Sequence, residues 1–125
     1  LLLKKSVKKK IEQAQLKVLK TKTVNQAFTE TEISLIQLLL NAYSAKQNVE
    51  IAEINRVLGI KDKNVGLQKK VRSDVINAIN DKYIFINQGE NNLIASVRKE
   101  DDKRFYEYFV VPTEVKTVQK LIEKN

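Results

Sequence analysis

The chain has 125 residues, enough for one domain with its own core, and its content of 42% hydrophobic and 30% charged residues is that of a folded globular protein. It contains no cysteine and no histidine, which excludes disulfides, thiol nucleophiles, thiolate metal sites, the commonest acid-base catalyst and the commonest transition-metal ligand. The formal charge of +8 is unevenly spread: residues 1–22 carry eight lysines against Glu12, a net +7, and the remainder carries 15 basic and 14 acidic residues. The overall basicity therefore belongs to the first segment.

The chain starts at Leu1 and has no methionine, so a fragment or a processed form is expected. Leu1, Leu2 and Leu3 followed by Lys4 and Lys5 read as the ragged start of a basic helix; the other reading is the end of a membrane span with a basic cytoplasmic flank. A cytoplasmic location is expected, with the cytoplasmic face of a membrane as the alternative. Within residues 4–21 there is no Pro or Gly, and Val7, Ile11, Ala14 and Val18 share one helical face. That stripe predicts a basic N-terminal helix over 1–22, separate from a domain over 23–112.

Thr29 and Glu32 have the spacing of a capping box, and Phe28 and Ile33 that of a hydrophobic staple. These signals start a core helix over 30–44, with Ile33, Ile36, Leu40 and Tyr43 as its stripe, widened by Leu35 and Leu39. A shorter helix is predicted over 50–58 from Ile51, Ile54, Val57 and Leu58, ended by Gly59 as a left-handed cap covered by Ile60. Asn64 caps a third helix running to about Lys82, with Leu67, Val71, Val75, Ala78 and Ile79 expected to face inward.

From Tyr83 the composition changes to Tyr, Ile, Phe and Ile, which predicts a strand over 83–88 and a turn over 89–92. A second strand is predicted over 93–98 and a third over 104–111, joined by a turn over 100–103. Pro112 stops the third strand. Thr113 is expected to cap a last amphipathic helix over 113–125, carrying Val115, Val118, Leu121 and Ile122.

The predicted fold class is thus α+β, mainly α: a three-helix core followed by a small antiparallel sheet, with extra N-terminal and C-terminal helices. Across residues 29–111 this order, with its glycine-capped corner before the third helix, resembles the winged helix-turn-helix DNA-binding superfamily. The resemblance implies three packed helices, the third presented to the DNA major groove, and a β-hairpin wing beside it. The corner over 60–64 is longer than the usual three or four residues, and a third strand extends the usual hairpin.

Opposite Leu67, Val71 and Val75, the third helix carries Lys69, Lys70, Arg72, Ser73, Asn77 and Asn80. Arginine can pair with guanine, asparagine with adenine, and lysine with phosphate. From Arg56 to Arg72 there are six basic residues and only Asp62, a local +5. The expected roles are base-facing for Lys69, Arg72, Ser73, Asn77 and Asn80, and phosphate-facing for Lys61, Lys63 and Lys70. Glu100, Asp101 and Asp102 would repel phosphate at a wing tip, an objection that weakens if the wing is instead 89–92.

Tyr106 and Tyr108, on one face with Arg104, invite base stacking, although packing is the expected role. The acidic trio is expected to be a solvated turn, since it lacks the ligand spacing of a calcium loop. No phosphate loop, nucleophile elbow or metal pair is present, so no enzyme, cofactor or metal site is expected. The expected function is transcriptional DNA binding to double-stranded DNA, as a homodimer formed through the terminal helices. The alternative is a winged-helix scaffold for protein interaction, or a juxtamembrane module whose lysine-rich N-terminus meets an anionic membrane surface.

Overall fold

The computed structural model describes residues 28–123; the basic helix expected over 1–22, and the stripe on it, lie outside the described residues. The fold is α+β and mainly helical, with a small three-stranded antiparallel sheet. Helix α1 spans Glu30–Ser44, strand β1 Val49–Glu50, helix α2 Ile51–Val57 and helix α3 Val65–Asn87. Strands β2 (Ile94–Arg98) and β3 (Tyr106–Val110) follow, then a single 3₁₀ turn at Pro112–Glu114 and helix α4 (Val115–Glu123).

The start of α1 obeys its sequence signals. Thr29 Oγ1 accepts from the Glu32 amide at 3.1 Å, and Glu32 Oε1 accepts from the Thr29 amide at 2.8 Å, so two otherwise orphaned donors are satisfied reciprocally. Lys82 Nζ of α3 then reaches the same Glu32 oxygen at 2.7 Å, tying the first turn of α1 to the far end of α3.

The three central helices all end in one way. Backbone amides bond back five and three residues at Gln47 and Lys46, at Ile60 and Gly59, and at Gly89 and Gln88. Each end is a Schellman motif with its αL residue at Lys46 (φ 58°), Gly59 (φ 72°) or Gln88 (φ 53°). Glycine accepts that conformation without a Cβ clash, and Ile60 beside it is buried.

The strand expected over 83–88 is instead the last part of α3. The side chains there are β-formers, but Tyr83 is 1% exposed and inside the core, and tertiary burial overrides the local preference. Extending the helix also turns it. Ile76, Ile79 and Tyr83 are buried at spacings of three and four, and Ile86 packs against the same core. Ile79 belongs to the expected inward stripe, but Val71, Val75 and Ala78 are only partly buried and Leu67 stays 40% exposed, because Ile76 and Tyr83 shift the buried face of the longer helix.

Three strands do form, but the third of them is the short β1 and not 83–88. The sheet order is β1-β3-β2, with Val49 opposite Tyr108 and Ser96 opposite the same residue from the other side. Val49, Ile94 and Val110 from the sheet meet Leu35, Ile36 and Leu39 of α1, Ile54 of α2, and Ile76, Ile79 and Tyr83 of α3 in one core. Val115 and Val118 of α4 belong to that same core. The Thr113 hydroxyl bonds the Glu114 carboxylate at 2.9 Å, and the 3₁₀ turn starting at Pro112 leads into α4. No helix among the described residues is long and apolar enough to cross a membrane.

Candidate nucleic-acid interface

The corner between α2 and α3 is held by backbone and amide bonds that leave its charges outward. The Ile60 and Gly59 amides return to Asn55 O and Arg56 O at 2.9 and 3.1 Å. Gln68 Nε2 bonds both Ile60 O and Lys61 O at 3.0 Å. Asn64 Oδ1 then caps α3 by accepting from the Leu67 amide at 2.8 Å. Lys61 and Lys63 are exposed on this fixed corner. The first turn of α3 contains no acidic residue, so apart from the Asn64 cap no side-chain carboxylate of that turn offsets the positive end of its dipole.

Along α3, Lys69, Lys70, Ser73 and Asn77 are all exposed, and at about 100° per residue they fall within about 100° of arc. Lys70 pairs with Asp74 at 3.3 Å, both well exposed; such a pair is weak and exchangeable. Ser73 and Asn77 have no side-chain hydrogen bond to the described residues, so their donors and acceptors are open to a partner.

Two residues expected on this face are elsewhere. Arg72 is 9% exposed, and its Nη1 donates to Asn55 Oδ1 of α2 at 3.0 Å. Asn80 is 8% exposed: Oδ1 accepts from the Leu93 and Ile94 amides at 3.0 and 2.8 Å, and Nδ2 donates to Ile94 O at 3.1 Å. The expectation that both face bases is corrected. Arg72 and Asn80 each sit four residues from Ile76, on the buried stripe, and strand β2 closes over Asn80. The free face of α3 therefore ends near Asn77.

The β2–β3 hairpin turns through residues 99–105, so its tip is the acidic segment and not 89–92, which joins α3 to β2. Lys99 pairs with Glu50 at 2.9 Å, and this carboxylate raises the lysine's pKa. Asp102 takes two bonds from the Arg104 guanidinium at 3.0 and 2.9 Å, and Arg104 holds its carboxyl below the ordinary range. Glu100 and Asp101 are left exposed at the tip without an ion pair to the described residues. Arg98 stacks 5.1 Å above Tyr106, and Tyr108 packs against the core.

Sequence reading missed Asn55, the partner of Arg72, although its position was informative: it is four residues after Ile51 and next to Ile54, on the inward side of α2. It also missed Glu114, which accepts from the Tyr83 hydroxyl at 2.9 Å inside the protein. Nothing near Glu114 in the sequence signals that role. Comparison with models of protein families, with curated proteins and with solved structures finds no match to this chain.

Proposed function

We propose that this domain is a winged helix-turn-helix module that binds double-stranded DNA through the first half of α3. The observation that carries the reading is the exposed stripe Lys69, Lys70, Ser73 and Asn77, adjoining Lys61 and Lys63 on a rigid corner. The order helix, helix, helix, hairpin supports it, with α3 following a glycine-capped turn. In this reading Lys69, Ser73 and Asn77 meet base edges, and Lys61, Lys63 and Lys70 meet phosphates. The acidic tip keeps the hairpin off the backbone, so recognition depends on α3 and not on the wing.

The deciding experiment is selection from a random duplex library with the whole chain and with residues 1–22 deleted. An enriched motif that survives the deletion and is weakened by Lys69→Ala and Asn77→Ala supports the proposal. Binding that disappears with residues 1–22 and shows no sequence preference overturns it. Each phosphate contact adds about 0.9 to the log-log salt slope, so Lys61→Ala and Lys63→Ala should each lower that slope by about one unit.

A second reading, a protein-interaction module, draws on the hairpin, where Val97 and Phe105 are 45% and 51% exposed. It is favoured if no duplex is enriched by either form of the protein.

A further inference from the structure

We infer that Arg72 is the cation of a site for a phosphate-type oxyanion between α2 and α3. Its guanidinium carries five N–H donors. Only Nη1 has a partner among the described residues, the neutral Asn55 oxygen, and Nε is enclosed with none. No carboxylate among the described residues forms an ion pair with it.

A cation that is nine-tenths buried needs a counter-charge and more than one hydrogen bond to offset its desolvation. Asn55 fixes the position of the group without supplying that charge. The surroundings are cationic as well. Lys69 lies one turn earlier on α3 and is exposed, Arg56 follows Asn55 on α2, and Lys61 and Lys63 occupy the corner joining the two helices. An oxyanion at the edge of the guanidinium that still meets solvent would supply the missing counter-charge, and phosphate oxygens match the guanidinium fork. The same chemistry is offered by free phosphate and by a nucleic-acid backbone, and the site is independent of whether α3 reads bases.

The test is thermal unfolding of the whole chain in sodium phosphate against sodium chloride at matched pH and ionic strength. Arg72→Met and Asn55→Asp serve as comparisons, the second supplying an internal carboxylate in place of the anion. Phosphate stabilises folded proteins in general through exclusion from their surfaces, so the reading is the difference between wild type and variants. The expected result is a phosphate-specific rise in Tm of about 5 °C for wild type at tenfold excess over Kd. Both variants lose this increment. In parallel, the Nε–H resonance of Arg72, assigned by its loss in Arg72→Met, moves on addition of phosphate.

A repeat with a short mixed-sequence duplex separates the sources: an Arg72-dependent gain with duplex but not with inorganic phosphate assigns the anion to the nucleic-acid backbone. An equal increment in all three proteins with both ligands, or an Nε–H signal that neither phosphate nor duplex moves, overturns the inference. Duplex binding that is unchanged in both variants, with no phosphate effect, overturns it while leaving DNA recognition by α3 standing.

Discussion

Arg72 and Asn55 are locked together across α2 and α3 by a buried hydrogen bond of 3.0 Å from Nη1 to Oδ1. The bond joins a charge to a dipole, so the two partners are not equivalent under mutation. Asn55→Ala leaves a buried guanidinium without its acceptor and should destabilise the fold by about 2–3 kcal/mol. Arg72→Met removes the charge and keeps the stem volume, and should lie within about 1 kcal/mol of wild type or above it. Urea unfolding of both variants in phosphate-free buffer checks the asymmetry, and a larger loss for Arg72→Met than for Asn55→Ala would contradict it.

Asn80 performs a different task, holding the start of β2 on α3 with three hydrogen bonds from one amide. Asn80→Ala should cost about 3 kcal/mol, roughly 1 kcal/mol for each bond. Asn77→Ala, one turn earlier and exposed, should change stability by less than about 0.5 kcal/mol. If Asn77 acts on DNA as proposed, the pair separates the two roles: Asn77→Ala loses affinity with an unchanged unfolding midpoint, and Asn80→Ala loses the midpoint itself.

Much of the helical frame was legible in the sequence because its signals are local. The Thr29–Glu32 box, Gly59 and Asn64 each fix a helix end through contacts within a few residues, and each is found where the sequence puts it. The end of α3 was not legible, because Tyr83 to Ile86 prefer strands locally and are held helical by a core assembled from distant segments. That one boundary propagated. A helix ending near Lys82 leaves Tyr83 and Ile86 off the stripe of Ile76 and Ile79, and the shorter pattern puts Arg72 and Asn80 outward. The two-residue β1 was invisible for another reason: its existence depends on pairing with β3, over fifty residues away.

The shared helix endings give a prediction about stability alone. Lys46 and Gln88 occupy the same left-handed position that Gly59 occupies, at φ 58° and 53°. A side chain there costs about 1 kcal/mol relative to glycine. Lys46→Gly and Gln88→Gly should therefore each raise stability by about 0.5–1 kcal/mol, and Gly59→Ala should lower it by about 1 kcal/mol. Thermal unfolding of the three single variants reads the signs directly; a loss at Lys46→Gly or Gln88→Gly would mean that these side chains make contacts outweighing their backbone strain.

The Tyr83–Glu114 bond makes stability depend on pH at both extremes. Burial, and then the adjacent Glu114 carboxylate, push the Tyr83 hydroxyl up to about 12. For such a group the folded state favours the neutral phenol, so its contribution is complete below the ordinary value of 10.0 and is lost as pH rises through about 12. Glu114 behaves oppositely: the Tyr83 hydroxyl, followed by Thr113, holds its carboxyl below the ordinary 4.5. Its contribution is present above that value and is lost as pH falls through the lowered one. Tyr83→Phe removes the hydroxyl from both balances. The variant should be less stable near neutral pH by about 1–2 kcal/mol, because Glu114 loses a buried donor. Relative to wild type its stability should fall less steeply both on acidification below 4.5 and on titration from 10 to 12. The tyrosinate absorption step near pH 12 should also vanish, and if it persists in the variant it belongs to another tyrosine and the coupling to Glu114 is wrong.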